Sequence, residues 1–355
     1  MGRRDDPDRT KVALVDPWMG QLVAGRYRLE LRIAAGGFGA IYRALDLATD
    51  RDVALKLLHP TLASDPAVIA RFRREGAALA QLRDPHTVIA YEVGETDDGT
   101  LFIAMELLQG DTLHTVFHEQ GRMPWRTVAD IARAVCSSLA EAHALGIVHR
   151  DLKPANIHLG GEHRDFVKVL DFGIAKIVGG ALDNSDLTTA GQMIGTFDYM
   201  PPEQMVGGET TSKSDVFTLG VVMFELLVGL RPFGDLPTAA SMLAAMLSQS
   251  PKSPAKRGAS LPGELDRAIM RCIAQKPQDR PTVAELAEIL DSLIADDTDR
   301  TRVDATHSTT DRMNAQTPPG GDEFPSGEQT VIDRGAYRFP PANTLPGIAP
   351  PKKKR

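Results

Sequence analysis

Two spacings of apolar residues divide the chain. Tyr27 to Ile33, Ala40 to Leu47 and Arg51 to Leu58 follow short β-type patterns broken by turn residues. A helix is expected next, capped by Asp65, with Pro66 at its first position, running to about Leu82. Two more strands fit Val88 to Glu95 and Leu101 to Leu108, joined by the turn Asp97-Asp98-Gly99. After Gly110 the helical period takes over. Pro124 starts a long helix whose apolar face includes Val128, Ile131, Val135, Leu139 and Ala142. Later helices fit Ser214 to Val228, Thr238 to Gln249, Glu264 to Ile273 and Val283 to Ile294. The pattern predicts an α+β protein, a small β-rich part followed by a larger α-rich part. A cleft between two such lobes is a natural ligand site.

The same pattern sets the expected boundaries. Residues 1–21 are polar and read as a flexible segment. Residues 22–295 form the folded region, with the small lobe over about 22–109 and the large lobe over about 110–295. From 296 to 355 the composition turns to Thr, Asp, Pro and Gly, which cannot bury enough apolar surface to fold.

Composition narrows the class. The chain has 355 residues, 42% hydrophobic and 25% charged, which suits a soluble globular protein. A net charge of -7 gives no reason to expect nucleic-acid binding. Cys136 and Cys272 sit in apolar helical patterns and read as buried hydrophobes in a reduced, cytoplasmic setting. The charged residues 1–11 do not resemble a secretory signal. The apolar run Leu219 to Leu230 holds Glu225 and is too short to span a bilayer.

Candidate chemistry concentrates in three places. Ile33 to Tyr42 contains Gly36, Gly37, Phe38 and Gly39 between two strands; such a loop can bring backbone N–H groups to phosphates, and alone it reads as a tight turn. Val53-Ala54-Leu55-Lys56 puts a lysine on a strand where it needs an anionic partner, and Glu75 on the next helix is the candidate. The segment His149-Arg150-Asp151-Leu152-Lys153-Pro154-Ala155-Asn156 decides the matter. Asp151 can accept a proton from an attacking hydroxyl, Lys153 can steady a transferring phosphoryl group, and Asn156 offers an amide oxygen to a hard cation. Asp171, in Asp171-Phe172-Gly173, adds a carboxylate. Eight ordered positions plus this triplet make chance a poor explanation.

From about Tyr27 to Ile294 the chain resembles the eukaryotic-type protein kinases, most of all their bacterial Ser/Thr members. The resemblance implies a bilobal kinase fold and ATP with two Mg²⁺ ions, Mn²⁺ being the alternative. It implies Asp151 as base, Asn156 and Asp171 as metal ligands, and Lys56 with Glu75 as the activating pair. It places Ile33, Gly36, Gly37, Phe38, Gly39, Ile41 and Ala54 around the nucleotide, Met105 at the gatekeeper position, and Glu106 to Leu108 at the hinge. Gly195 to Glu203 resembles the end of an activation segment, with Glu203 pairing Arg280 and Asp215 bracing the catalytic loop. Lys153 and Thr196 fit the Ser/Thr group, so the implied acceptors are Ser and Thr hydroxyls of proteins, including the chain's own.

Some positions depart from the pattern. Ala34 replaces the first loop glycine and Pro201 the usual alanine before Pro202-Glu203; His158 and His143 are expected to be structural. None of these touches Lys56, Asp151, Asn156 or Asp171, which disfavours a pseudokinase scaffold. The activation-segment pattern likewise disfavours a kinase-like small-molecule phosphotransferase.

For regulation, the resemblance implies that Arg150 binds a phosphate on the activation segment, at Thr188 or Thr189, with Thr188 preferred. The tail sequences Thr301-Arg302-Val303-Asp304 and Thr330-Val331-Ile332-Asp333 fit a pattern that phosphothreonine-reading domains accept, with chance composition the plain alternative. Lys352 to Arg355 reads either as a solvated end or as the flank of a membrane helix. Similar kinases form homodimers through the small lobe; no residue here specifies one.

Overall fold

The structure is a computed structural model and describes residues 16–36, 39–59, 66–162, 164–172 and 197–297. The small lobe is a six-stranded antiparallel sheet ordered β1-β2-β3-β4-β6-β5. Its strands are β1 (Leu22–Val23), β2 (Tyr27–Gly36), β3 (Gly39–Asp46), β4 (Arg51–Leu58), β5 (Ala90–Glu95) and β6 (Leu101–Glu106). Helix α1 (Pro66–Leu79) packs on it, with Pro66 at the first position as expected. The expected cap Asp65 lies outside the described residues.

Period-2 alternation sorts β4 between two faces. Val53, Leu55 and Leu57 join one apolar cluster with Tyr27, Tyr42 and Phe102. Ala54 and Leu58 join the other, against Phe72 of α1. Lys56 lies on the second face, between Ala54 and Leu58. Its placement in the cleft thus follows from the strand pattern.

β2 and β3 close as a hairpin through the Gly36–Gly39 pair. Gly39 has φ 149, and an added Cβ would run into the Leu57 carbonyl oxygen. This glycine is therefore required by the neighbouring strand, whatever it does for a ligand. Gly37 and Phe38, at the tip, lie outside the described residues.

The large lobe begins with β7 (Asp111–Thr112) and α2 (Leu113–Gln120), neither distinguished in the sequence pattern. Thr112 caps α2 by accepting from the Thr115 N–H. Helix α3 (Trp125–Ala144) follows, then β8 (Ile157–Gly160) and β9 (Phe166–Val169), which extend β7 into a three-stranded sheet. The remaining helices are α4 (Pro202–Met205), α5 (Ser212–Val228), α6 (Ala239–Ser248), α7 (Gly263–Cys272) and α8, which begins at residue 283. Val135, Leu139, Phe224, Leu265 and Leu286 make the centre of the lobe's core. α5 is buried nearly all round, which explains its continuous apolar sequence. Among the described residues no helix is long and apolar enough to cross a membrane.

One expected boundary needs correction. Residues 16–21 belong to the folded small lobe, not to a flexible segment ending at 21. Trp18 is 8% exposed and packs with Met19 on the sheet face of Tyr27 and Tyr42. Gly20 N donates to Leu29 O, and Leu29 N to Gln21 O. Asp16 accepts from Arg32 at 3.0 Å, from Trp18 N at 3.1 Å and from the Tyr42 hydroxyl at 3.2 Å. Burial, with the Asp16 charge beside it, pushes the Tyr42 hydroxyl up to about 12. A polar-looking stretch with one tryptophan gave too weak a pattern for this docking to be read. Asp16→Ala is expected to cost about 1–3 kcal/mol, because it strands the Tyr42 hydroxyl. Calorimetry reads this as a lower Tm; an unchanged Tm would show that the carboxylate does not hold the segment.

Candidate active site

The loop from His149 to Asn156 runs from the end of α3 to β8. One buried carboxylate holds its start. Asp215, in the first turn of α5 and 1% exposed, accepts from His149 N at 2.8 Å and from Arg150 N at 3.0 Å. His143 Nε2 donates to the same carboxylate at 2.8 Å. Arg150 has φ 64, a left-handed conformation that costs a non-glycine residue on the order of 1–3 kcal/mol. The two backbone bonds to Asp215 maintain it. Asp215 therefore sits where a brace is expected, and His143 is the brace's partner as well as a packed side chain. His158 is also structural, its Nε2 donating to Gln109 O at 3.0 Å.

His149 is fully buried, which lowers its pKa below the usual 6.5. Its contacts require the same neutral form. Nε2 donates to Leu170 O at 2.8 Å, and Nδ1 accepts from Asp151 N at 3.3 Å. The ring packs on Phe172 with centroids 4.7 Å apart. The loop and the Asp171-Phe172 turn are thus joined through one imidazole.

Asp151 sits at the centre of the loop. Lys153 Nζ lies 2.9 Å from its Oδ2. Asn156 Nδ2 donates to the Asp151 carbonyl at 2.7 Å and to its Oδ2 at 3.2 Å. With Nδ2 so committed, Oδ1 is the Asn156 side-chain atom that could serve a cation. Leu170 N donates to Asn156 O at 2.8 Å, which brings Asn156 beside the end of β9. Asp171 follows with φ 50, and its Oδ1 is 2.8 Å from Lys56 Nζ. A lysine of the small lobe and a carboxylate of the large lobe therefore meet across the cleft. Hard cations take oxygen ligands, and an amide oxygen with a carboxylate suits one that keeps waters and phosphate oxygens as its other ligands. Among the described residues no group of three or more His, Cys, Asp or Glu side chains is placed to hold a metal.

A recess of about 500 Å³, open to solvent, lies beside this pair. Val88, Ala90, Ile103 and Met105 give it apolar walls; Lys56 and Asp171 give it a charged end. Ala54 pairs with Met105 across β4 and β6, and Ile41 pairs with Lys56 across β3 and β4. Ile33 is half exposed on β2, and Leu108 is half-buried past the end of β6. The expected partner Glu75 lies on α1, but its side chain is outside the description.

The sequence reading missed a buried pair at the hinge. Lys168 on β9 is 4% exposed; its Nζ is 2.5 Å from Glu106 Oε1 and 3.1 Å from Thr87 O. Glu106 Oε1 also accepts from Ile89 N at 2.8 Å. The Glu106 side chain is thus turned toward Lys168 and Ile89, and the Glu106 N–H donates to Ile89 O at 3.0 Å, so its carbonyl is the main-chain group not committed to this contact. A lone lysine between Val167 and Val169 was the one available sign.

Farther along, Glu203 and Arg280 form a two-bonded pair at 2.7 and 2.9 Å, with the Arg280 side chain fully buried. Arg150 Nε is buried and has no hydrogen-bond partner among the described residues. Thr188 and Thr189 lie outside the described residues.

Comparison with known proteins fits this geometry. A family model described as the protein kinase domain matches residues 27–290. The chain belongs to the protein kinase family. It is 39% identical to the Ser/Thr-protein kinase pkn3 of Myxococcus xanthus over 82% of this chain and 53% of that protein. It is 37% identical to PknB of Mycobacterium leprae over 74% of this chain and 42% of that protein. The chain thus spans about half the length of these curated relatives. The PknI kinase domain of Mycobacterium tuberculosis superposes with a TM-score of 0.60 at 27% identity, covering 77% of this chain and 98% of that one. Kinases of this family use ATP with a divalent metal ion.

Proposed function

We propose that the chain is an ATP-dependent protein Ser/Thr kinase that transfers the γ-phosphoryl group to Ser or Thr hydroxyls, its own included. The observation that carries this is the meeting of Asp171 with Lys56 beside an Asp151 carboxylate held by Lys153 and Asn156. In this reading Asp151 accepts the hydroxyl proton and holds the oxygen in line with the phosphorus. Lys153 offsets charge developing on the transferred group. Lys56 holds the phosphates of the nucleotide, and Glu75 holds Lys56. Asn156 and Asp171 hold Mg²⁺, whose charge stabilises the phosphate oxygens when it is bound; Mn²⁺ would suit the same oxygens. The adenine lies against Ala54 and Met105 with Ile33 and Ile41 above it, and the main chain from Glu106 to Leu108 reads its edge. The glycine loop Gly36 to Gly39 covers the phosphates.

Lys56→Met is the direct test. Transfer of labelled phosphate from ATP to a generic protein substrate is expected to fall about 10²-fold, the scale for losing one preorganised charge. Labelled phosphotyrosine, or transfer unchanged by the substitution, would refute the proposal.

Arg150 supports a regulatory reading of the same site. Its buried Nε has no acceptor among the described residues, and a phosphate on Thr188 or Thr189 would supply one. Mass spectrometry of active protein is expected to find phosphate there, Thr188 first. Fully active protein with no phosphate between residues 174 and 194 would remove this role.

A further inference from the structure

Helix α2 carries two histidines, His114 and His118, one turn apart. Residues i and i+4 stand one above the other on a helix surface. Both residues are exposed, His114 with part of its ring covered, and their ring centroids are 4.4 Å apart with planes at 75°. Among the described residues, neither ring nitrogen has a hydrogen-bond partner. The other histidines of the described large lobe differ in this respect: His143, His149 and His158 are each tied to a carboxylate or a backbone carbonyl.

The spacing can be compared with what a shared metal ion would require. A metal–imidazole bond of about 2.0–2.1 Å plus a ring radius of about 1.2 Å puts each ring centre about 3.2 Å from the metal. Two such ligands at a right angle would have centres about 4.5 Å apart, and at a tetrahedral angle about 5.2 Å. The observed 4.4 Å fits the right angle. That angle belongs to square-planar and octahedral ions with imidazole ligands, Cu²⁺ and Ni²⁺, more than to tetrahedral Zn²⁺. Protonation would block the site. Partial burial and the neighbouring His118 both lower the pKa of His114, which favours the neutral, ligating form.

We propose that His114 and His118 form a two-imidazole site for a late first-row divalent transition metal, with Cu²⁺ or Ni²⁺ held at adjacent coordination positions and water completing the shell. The site lies on the first helix of the large lobe and shares no residue with the Asn156 and Asp171 oxygens. A nitrogen pair selects different ions from an oxygen pair, so the two sites need not compete for metal.

The test is titration of the tag-free 355-residue chain with NiCl₂, and separately CuCl₂, by calorimetry. One equivalent of Ni²⁺ is expected to bind in the sub-millimolar range, and Cu²⁺ more tightly, following the order of divalent affinities. His114→Ala and His118→Ala should each weaken binding by about tenfold or more, because a single imidazole remains. A third variant separates geometry from histidine count. His118→Ala combined with Glu119→His keeps two histidines but breaks the one-turn spacing, and should bind as weakly as the single variants. Circular dichroism confirms that each variant is folded. The proposal is overturned if the wild-type protein takes up no Ni²⁺, if both alanine variants keep its affinity, or if the shifted pair binds as well.

Discussion

Asp151→Asn is expected to reduce phosphoryl transfer by about three orders of magnitude, the middle of the range for a positioned general base. The structure argues for a loss in chemistry and not in folding. Asn is nearly isosteric with Asp. The backbone bonds that fix the loop come from Asp215 to His149 and Arg150, and none of them uses the Asp151 side chain. Nucleotide affinity should be little changed, since the Lys56–Asp171 contact does not use the Asp151 side chain. One local change is expected. The Asp151 carboxylate now takes both Lys153 and the Asn156 amide, and an amide at 151 can accept but no longer neutralises Lys153. Steady-state kinetics should show the loss in kcat with KM for ATP within a few-fold. A variant that retains wild-type kcat would mean that another group takes the proton, and the proposed mechanism would fail.

Some of this site was legible from local sequence and some was not. The loop from His149 to Asn156 was readable because its residues act within eight positions, and contacts such as Lys153 to Asp151 join near neighbours. Lys56 was readable because period 2 fixes its face on β4 once Val53 and Leu55 are assigned to the other. Asp215 to His149 spans 66 residues, and that bond was anticipated through family resemblance, not through spacing. Lys168 to Glu106 spans 62 residues; Glu106 is legible only as part of the hinge and Lys168 belongs to no motif, so their pairing was missed. The docking of Trp18 was missed for a related reason. Its partners Tyr27, Tyr42 and Phe102 are spread over three strands, and an isolated tryptophan in a polar stretch has no periodicity to reveal them. The β7 strand and α2 are short, and short elements give too few repeats to establish a period. Where pairing is local, sequence alone sufficed; where a lone side chain crosses the fold, the three-dimensional packing was needed.

The second large effect is on stability. Arg280→Met is expected to destabilise the protein by about 3–5 kcal/mol, the usual cost of removing one partner of a buried ion pair. Arg280 makes two bonds to Glu203 and donates to the carbonyls of Ala274, Lys213 and Gln275; its guanidinium also lies 4.7 Å from the Phe217 ring. Met fills similar volume but satisfies none of these acceptors. At about 2–4 °C per kcal/mol for a domain of this size, the Tm should fall on the order of 10 °C. The pH dependence identifies the partner. Burial alone would raise the Glu203 carboxyl, but hydrogen bonds from Arg280 and Ser214 carry it below the usual 4.5. A lowered carboxyl contributes stability that is fully present above the usual value and is lost as pH falls through the folded-state value. Without Arg280 the largest remaining influence is burial, which favours the protonated form. The wild-type protein should therefore lose more stability than Arg280→Met on acidification below about pH 4.5, and the gap between them should narrow. Urea titrations at neutral and acidic pH measure that gap. A gap that stays constant would mean that Glu203 is not the residue through which Arg280 acts. The double variant Glu203→Leu, Arg280→Met supplies an independent reading, because replacing both charges by apolar groups removes the stranded carboxylate. It should recover part of the loss at neutral pH, and a double variant no more stable than Arg280→Met would place the cost in the three backbone carbonyls instead.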